Sequence, residues 1–394
     1  MTQPRYHSKA NMSENNGTIV VVTSGADLAT HAFLPSYLNI LLGAFRGEIS
    51  VIISRVPPLS NGESFPKRVH IKQVMLEIGE KSGGSGNRVM RYLLTQLEIA
   101  YVLARQGKAD AYIFFLAQTL LLPILILKLM RRKVILAVGA SFSKLVESRK
   151  DRLLWFPKIE EKISFQVSDH IVIYSEEIIE QFNLEKHKGK ISIARRHFLD
   201  FDQFKRQKPL SERDNLVGYI GRLSREKGIL NFIEAVPRVL EKEVGLEVLI
   251  GGDGPLRRRV EQYLGEHKLN NRVKFVGWIP HDRLPEYLNE LKLVVIPSYT
   301  ETGPLLMVEA MACGTPVFIT PVGSAPTVIR DGETGFIMAD NSPDCIAKNI
   351  IRALNYPHLE EIAKNAGVLV VNEYSYESAV EGYKTILSDL LSRR

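Results

Sequence analysis

The sequence predicts an α/β protein made of two doubly wound Rossmann-like domains with a cleft between them. Two series of short apolar strands alternate with helical segments, and a polar, proline-containing segment, Arg195–Asn215, separates the two series. The length agrees with this division, because 394 residues at roughly 100 to 200 residues per domain make two or three domains.

The first series of strands precedes residue 200. Its predicted strands are Thr18–Ser24, Ile49–Ile53, Tyr112–Leu116, Lys133–Val138 and His170–Tyr174. In the helical segment Asn87–Arg105, apolar residues recur at spacings of three and four, which is typical of an amphipathic helix. Strands that alternate with helices indicate βαβ units and a mostly parallel sheet.

The second series follows the polar segment. Its predicted strands are Leu216–Ile220, Glu247–Ile250, Val273–Val276, Leu293–Ile296 and Pro316–Ile319. We therefore predict a disordered tail at 1–17, a first domain at 18–200, a linker at 201–215, a second domain at 216–372 and a final helix at 373–394. We expect this final helix to pack back on the first domain.

Composition excludes several classes of protein. The two cysteines, Cys313 and Cys345, form no C-x-x-C pair, so neither a disulfide framework nor a structural zinc site is supported. The polar N-terminal residues lack the apolar core of a signal peptide, so we expect a cytoplasmic protein. The net charge of +7 is uneven: residues 1–205 hold 28 Lys and Arg against 19 Asp and Glu, and the remainder is slightly acidic.

The segment Ala111–Leu127 contains no charged residue over 17 positions. A buried strand followed by an apolar helix explains it better than a membrane span does, since polar residues and Pro123 interrupt it. A third interpretation is open, because four cations follow directly: Lys128, Arg131, Arg132 and Lys133. An apolar helix beside cations could lie on an anionic surface, here the inner membrane surface.

The segment Gly218–Gly228, GYIGRLSREKG, joins a predicted strand to a predicted helix. Arg222 and Lys227 lie in the turn beside the start of that helix. Two cations next to free backbone N–H groups are typical of a diphosphate site. Taken alone, the same pattern also fits a solvated basic turn.

The segment Ser298–Val317 contains two glutamates separated by seven residues. Glu301 follows a predicted strand, and Glu309 lies inside a helix that begins near Leu305. Carboxylates accept hydrogen bonds from vicinal hydroxyls, so this pair suits a sugar or a ribose. The alternative is a pair of surface salt-bridge partners.

Taken together, the motifs resemble the retaining nucleotide-sugar glycosyltransferases of family 4, the group 1 transferases with the GT-B fold. The resemblance covers about residues 215 to 340. The motifs that carry it are G-R-L-x-x-x-K-G, G-G-D-G-P (Gly251–Pro255), V-x-F-x-G (Val273–Gly277), P-S-x-x-E-x7-E-A-M-A-C-G-T-P-V and D-G-E-T-G-F (Asp331–Phe336).

The resemblance implies retaining, metal-independent transfer of a hexose-type sugar from a nucleoside-diphosphate sugar to a glycan, lipid-linked or other hydroxyl acceptor, without a cofactor. The implied catalytic residues are Glu301, Arg222 and Lys227. The implied donor-diphosphate residues are Arg222, Lys227, Gly25, Gly303 and Leu305. The implied ribose residue is Glu309, and the implied nucleobase rim is Val276, Gly277, Trp278 and Gly254. No metal ligand is implied.

The chain departs from the family pattern at two places. Pro304 falls where a backbone amide is often available, and it has no N–H, so Gly303 or Leu305 must make the donor contacts there. Many relatives also carry a His at the position of Val138–Ser141, where this chain has none. The acceptor base is therefore unresolved. The resemblance suggests a front-face reaction, in which a donor phosphate oxygen takes the acceptor proton.

Other functions remain open on the same residues. They are a nucleotide-sugar epimerase of the same fold and a non-catalytic nucleotide-sugar-binding protein. A nicotinamide dehydrogenase is disfavoured, because Gly251–Pro255 is not G-x-G-x-x-G. The basic first half favours an acidic or lipid-linked acceptor, as in polysaccharide or glycolipid biosynthesis, with peripheral membrane contact. No nucleic-acid-binding motif is present in the sequence.

Overall fold

The structure is a computed structural model that describes residues 17–23, 28–54, 66–74, 85–139, 155–301, 303 and 305–392. Within this part the chain divides into two compact units. The first comprises the described residues up to Tyr174, then Ile178–His197, and the end of the chain from Val380. The second comprises Ser175–Glu177 and Phe198–Ala379. The domain boundaries drawn from the sequence stay a prediction.

The first unit contains a seven-stranded parallel sheet in the order β3-β2-β1-β4-β5-β6-β7. The strands are β1 (Thr18–Thr23), β2 (Glu48–Ser54), β3 (Val69–Val74), β4 (Ala111–Phe115), β5 (Val134–Val138), β6 (His170–Ile173) and β7 (Ile191–Ile193). The helices are α1 (Leu28–Ala44), α2 (Ser85–Arg105), α3 (Leu121–Leu129), α4 (Trp155–Val167) and α5 (Glu177–Gln181).

Helix α2 forms as the apolar spacing predicts, but its buried face is a different one. Leu93 is 42% exposed and Leu97 is 55% exposed, so these leucines face solvent. The buried face carries Ile99 and Leu103 together with polar groups. The Gln96 amide donates to Glu160 of α4 at 2.9 Å and accepts from the Leu122 N–H of α3 at 2.8 Å. Because a buried carboxylate requires hydrogen-bond partners, this network fixes the rotation of the helix.

The uncharged segment Ala111–Leu127 is a strand followed by a helix, as interpreted from the sequence. Strand β4 is buried along its whole length. Helix α3 buries Pro123, Ile124 and Leu127 against the sheet. In the part of the chain that the structure describes, no helix is both long and apolar enough to cross a membrane.

The second unit contains a six-stranded parallel sheet in the order β10-β9-β8-β11-β12-β13. The strands are β8 (Leu216–Ile220), β9 (Glu247–Gly251), β10 (Val273–Gly277), β11 (Leu293–Ile296), β12 (Val317–Ile319) and β13 (Phe336–Ile337). The helices are α6 (Ile229–Lys242), α7 (Arg257–Glu266), α8 (Leu284–Glu290), α9 (Leu305–Ala312), α10 (Ala325–Val328), α11 (Pro343–Leu354) and α12 (Leu359–Tyr374).

Apolar side chains fill both faces of this second sheet. Val217 of β8 belongs to a cluster with Phe232 of α6, whereas the preceding Leu216 belongs to a cluster with Met307 of α9. Successive side chains of a strand point to opposite faces, so helices cover the sheet on both sides. The predicted doubly wound α/β class is therefore confirmed.

The last helix, α13 (Tyr376–Ser392), begins in the second unit and ends in the first. Its buried residues include Ala379, Tyr383 and Leu387. The Tyr383 ring meets the Tyr37 ring of α1 at 5.2 Å between centroids. This aromatic pair lies inside the first unit.

Candidate functional site

The candidate site lies where the order of strands in the second sheet reverses, at the neighbouring strands β8 and β11. The chain leaves β8 into the turn Gly221–Gly228 and leaves β11 into the loop Pro297–Glu301. The carboxyl ends of parallel strands meet at one edge, and a crevice forms at such a switch point. The predicted phosphate-binding turn and the first predicted carboxylate therefore lie side by side.

Gly228 joins the turn to helix α6 in a conformation that only glycine adopts without strain. Its φ is +70°, and a Cβ at this position would lie 1.9 Å from the carbonyl oxygen of Pro297. Two residues earlier, the carbonyl of Glu226 accepts a hydrogen bond from the Tyr299 N–H at 2.9 Å. The turn is thus held directly against the loop after β11.

The close approach of these two segments produces an ion pair. The Lys227 Nζ atom lies 2.5 Å from Glu301 Oε1, and the Ser298 hydroxyl donates to the same oxygen at 2.8 Å. The side chains of Lys227 and Glu301 are 31% and 11% exposed. Among the described residues no donor bonds to Glu301 Oε2, so this oxygen can accept a hydrogen bond from a ligand hydroxyl.

Arg222 lies on the same turn and is exposed. No carboxylate of the described residues pairs with its guanidinium, which leaves its donors available to an anion. The Tyr219 hydroxyl lies 3.0 Å from the Arg222 carbonyl and 3.4 Å from the Lys227 carbonyl. Burial raises the pKa of Tyr219, and the charge of Glu301 adds to this, so the phenol stays a neutral donor.

Glu309, the second predicted carboxylate, lies on α9 and pairs with His281. The distance from His281 Nε2 to Glu309 Oε1 is 2.7 Å, and the side chains are 66% and 6% exposed. The hydrogen bond to Glu309 raises the pKa of His281, against the smaller effect of burial. The sequence analysis missed His281; its only signal was a polar residue in the loop that follows the V-x-F-x-G strand.

Glycines pack the loop after β9 onto the turn after β8. Gly252 has a φ of +131°, and its Cβ position lies 1.9 Å from the Gly221 carbonyl oxygen. Gly254 has a φ of +158°, and its Cβ position lies 2.5 Å from the carbonyl oxygen of Leu223. Any side chain at either position would separate the two loops. Gly254, predicted at the nucleobase rim, thus lies against the phosphate-binding turn.

The other predicted rim residues follow β10. Gly277 has a φ of +69°, with open space at its Cβ position, and its carbonyl accepts from the Gly252 N–H at 2.6 Å. Val276 and Trp278 are 37% and 73% exposed. An exposed indole at this edge is free to stack on a flat ligand such as a nucleobase.

Four positions singled out in the sequence are less well connected to this group. Gly25 and Pro304 lie outside the described residues. Gly303 is half-buried, and Leu305 begins α9. In the described ranges, no group of three or more His, Cys, Asp or Glu side chains could hold a metal ion.

Comparison with protein families gives one match, over residues 200–389, to the family described as glycosyl transferases group 1. Among curated proteins, alpha-D-kanosaminyltransferase of Streptomyces kanamyceticus is 32% identical over 193 residues, which make up 48% of this chain and 50% of that protein. The chain thus spans about half the length of curated relatives that it matches.

Solved structures resemble a larger part of the chain. Sucrose-phosphate synthase from Thermosynechococcus elongatus has a TM-score of 0.72 at 19% identity and covers 96% of this chain and 100% of its own. Anabaena HepE in complex with UDP has a TM-score of 0.72 at 17% identity and covers 95% of this chain and 100% of its own. At these identities the likeness concerns the fold, which is that of GT-B proteins.

Proposed function

We propose that the protein is a retaining glycosyltransferase, because residues 200–389 match the family described as glycosyl transferases group 1. It moves a hexose-type sugar from a nucleoside-diphosphate sugar to the hydroxyl of a glycan, lipid-linked or other acceptor. The observation that carries the proposal is the contact of Lys227 with Glu301 at the switch point between β8 and β11, with Arg222 on the same turn as Lys227.

Arg222 and Lys227 bind the donor diphosphate in this proposal. A guanidinium binds phosphate oxygens through two parallel hydrogen bonds, and an ammonium adds a point charge. Both cations also face the negative charge that grows on the departing nucleoside diphosphate. They therefore stabilise the transition state more than the bound donor, which is how an interaction raises the rate.

Lys227 changes partner when the donor binds. Its Nζ atom contacts Glu301 at 2.5 Å, so a diphosphate competes with this carboxylate for the ammonium group. Once Lys227 turns towards the phosphates, Glu301 keeps the Ser298 hydroxyl and gains acceptor capacity for the sugar hydroxyls. The ion pair thus couples diphosphate binding to the placement of the sugar.

In this proposal, Glu309 accepts hydrogen bonds from the ribose hydroxyls, and the Trp278 indole stacks on the nucleobase. Glu309 is almost fully buried, and a buried carboxylate must be hydrogen-bonded. His281 meets that requirement in the structure, and the ribose hydroxyls share it in the complex. Uridine is our first candidate base, since a structure of the same fold, Anabaena HepE, is in complex with UDP.

We propose that the reaction needs neither a metal nor a cofactor. A metal ion in such a reaction would neutralise the diphosphate and polarise its oxygens. Two protein cations beside the helix α6 N-terminus supply the same kind of charge. For the acceptor proton, we retain the front-face reaction, in which a donor phosphate oxygen is the base.

We also propose that the first unit contacts an anionic membrane surface in the cytoplasm. Helix α2 exposes an apolar stripe composed of Met90, Leu93, Leu97 and Tyr101. The Arg105 guanidinium lies over the Tyr101 ring, 4.6 Å from its centroid, at the end of this stripe. Apolar side chains bordered by cations are typical of helices that lie in a membrane interface.

Helix α3, which packs beside α2, also exposes apolar and cationic residues. It exposes Leu129 at its end, and the exposed Arg131 follows. Lys128 adds less charge, because it pairs with Asp169 at 2.6 Å. An anionic bilayer matches both the apolar stripe and the cationic excess of residues 1–205.

The test of the proposed reaction uses the full chain with UDP-sugars and a panel of hydroxyl acceptors, with and without EDTA. We expect release of UDP that depends on the acceptor, survives EDTA, and gives a product whose anomeric configuration by NMR equals that of the donor. Loss of activity in EDTA with recovery in manganese would overturn metal independence. UDP release or sugar isomerisation without an acceptor would favour the epimerase, and donor binding without turnover would favour the non-catalytic protein.

A further inference from the structure

An open cavity of about 490 Å³ lies in the second unit beside the phosphate-binding turn. Its lining residues are Arg225, Glu226, Gly228, Leu230, Asn231, Arg259 and Tyr299. Arg222, Lys227, Glu301 and Glu309 are not among them. The volume lies within the range of about 300 to 1,000 Å³ that is typical of small-molecule sites. The cavity is thus separate from the proposed donor contacts.

Two arginines in this cavity have no acidic partner among the described residues. They are Arg225, on the turn, and Arg259, on α7. Other arginines nearby are paired: Arg238 contacts Asp344, and Arg257 contacts both Asp253 and Glu261. Two unpaired guanidinium groups that share a cavity are suited to bind an anionic group, through charge-assisted hydrogen bonds.

The remaining polar groups of the cavity suit hydroxyls. Asn231 donates to the Tyr299 hydroxyl at 2.9 Å, and Tyr299 is about half exposed. The Ser224 hydroxyl donates to Glu226 at 2.7 Å and holds the pKa of that carboxyl below its usual range. A carboxylate held in place accepts hydrogen bonds from hydroxyl groups but repels an anion that has no hydroxyl to donate. An aromatic face adds apolar contact area for the C–H groups of a sugar ring.

From this combination we infer a second ligand site, for a saccharide that carries a phosphate group. Arg225 and Arg259 bind the phosphate, while Glu226, Asn231 and Tyr299 contact the sugar ring and its hydroxyls. The carboxylate of Glu226 favours a phosphosugar over inorganic phosphate, and the two guanidinium groups favour it over a neutral sugar. Binding at this site does not require the proposed glycosyl transfer.

The experiment is isothermal titration of the full chain with glucose 6-phosphate as the probe, in saturating UDP so that the donor site is filled. Glucose and inorganic phosphate are titrated in parallel. We expect saturable binding of glucose 6-phosphate at least tenfold tighter than that of either fragment. R225Q and R259Q should each weaken it tenfold or more, because each removes a charge-assisted contact.

R258Q is the matched control. Arg258 is exposed and adjacent to Arg259 on α7, but it does not line the cavity, so its loss should leave binding unchanged. All three arginines are exposed, and matching thermal melts of the variants would show that they fold. An equal loss of binding in R258Q, inorganic phosphate that binds as tightly as the probe, or no saturable binding would each overturn the inference.

Discussion

The His281 imidazole lies 2.7 Å from the Glu309 carboxylate, and the two side chains differ widely in exposure, at 66% and 6%. The carboxylate proposed to hold the ribose is therefore buried, while its partner is in solvent. Protonation of His281 converts a neutral hydrogen bond into an ion pair. Solvent pH thus acts on a buried group of the proposed donor site through an exposed one.

We expect the His281–Glu309 contact to stabilise the protein more at acidic pH. The pKa of His281 is raised in the folded state, first by the hydrogen bond to Glu309. The contact therefore contributes fully to the free energy of unfolding below the unfolded-state pKa of about 6.5. This contribution is lost as the pH rises through the pKa that His281 has in the folded protein. H281Q should lower the free energy of unfolding more at about pH 5.5 than at about pH 9, by no more than about 1 kcal/mol because the imidazole is exposed.

Urea unfolding of both proteins at the two pH values measures this difference. H267Q is the control, since His267 contacts the Tyr263 carbonyl instead of a carboxylate. An H281Q effect that is the same at both pH values would reject the ion pair.

Removing the Glu301 charge should strengthen UDP binding while it slows transfer. In E301Q, Lys227 loses its competing partner, and the diphosphate loses a repelling charge. We expect UDP affinity to rise by roughly twofold to tenfold, about the worth of a partly exposed ion pair. K227A should instead weaken the binding of UDP by about tenfold or more.

Titration calorimetry with UDP separates these two variants, and E361Q, at an exposed glutamate outside the site, is the control. If E301Q and K227A both weakened the binding of UDP, the Glu301 carboxylate would contact the nucleotide itself. The proposal that Lys227 exchanges Glu301 for the diphosphate would then be wrong.

Ser298 should affect turnover without affecting nucleotide affinity. Its hydroxyl donates to Glu301 at 2.8 Å and is buried, so it orients the carboxylate. In the part of the chain that the structure describes, it makes no hydrogen bond to Arg222 or Lys227, the residues proposed to bind the diphosphate. In S298A we expect kcat to fall about tenfold or more, since a hydrogen bond to a charged group contributes about 1.5 to 3 kcal/mol, and the UDP Kd to stay the same.

T320V is the matched control for this loop. It removes a hydrogen bond of 2.6 Å to the Ser298 carbonyl but leaves the Ser298 hydroxyl in place. Equal losses of kcat in S298A and T320V would mean that loop stability, not the orientation of Glu301, limits the rate.

Two glycines with similar backbone angles should differ in their tolerance of alanine. Gly228 has a φ of +70° and a carbonyl oxygen 1.9 Å from its Cβ position, whereas Gly245 has a φ of +79° and open space. G245A should cost about 1 kcal/mol for the left-handed backbone alone. G228A should cost about 2 to 4 kcal/mol, because the turn must also move. Equal losses in denaturant unfolding would show that the turn shifts without cost.

The stripe on α2 should bind anionic vesicles. Replacing Leu93 and Leu97 together by Glu should reduce co-sedimentation with phosphatidylserine-containing liposomes at least tenfold and leave the melting temperature nearly unchanged, since both leucines are exposed. Val368 and Val371, exposed apolar residues of α12, provide the control double substitution to Glu. Unchanged liposome binding would reject the surface, and a concentration-dependent dimer that the Leu variant abolishes would assign the stripe to a second copy.

The central strands could be predicted because they are buried on both faces and read as continuous apolar runs, as at β1 and β8. The edge strands could not. β3 is largely exposed, β7 has three residues and β13 has two, so none offers a long apolar run. These edge strands form only because they pair with a neighbouring strand, and the spacing of residues in the sequence does not reveal that pairing.

The site could be predicted only in part for a similar reason. Glu301 and Lys227 stand out by their spacing from strand ends, and the parallel sheet brings them together. His281 and Ser298 owe their roles to contacts across segments far apart in the chain. The rotation of α2 depends on Glu160, more than sixty positions from its partners on that helix.

The hydroxyl of Tyr219 lies beneath the phosphate-binding turn, within reach of the carbonyl groups of both Arg222 and Lys227. The backbone that carries the two cations is therefore ordered before any nucleotide arrives. Binding of the proposed nucleotide then costs little conformational entropy, because only the cationic side chains must become ordered. In the proposed function, nucleotide affinity accordingly depends on a buried phenol as well as on the cations themselves.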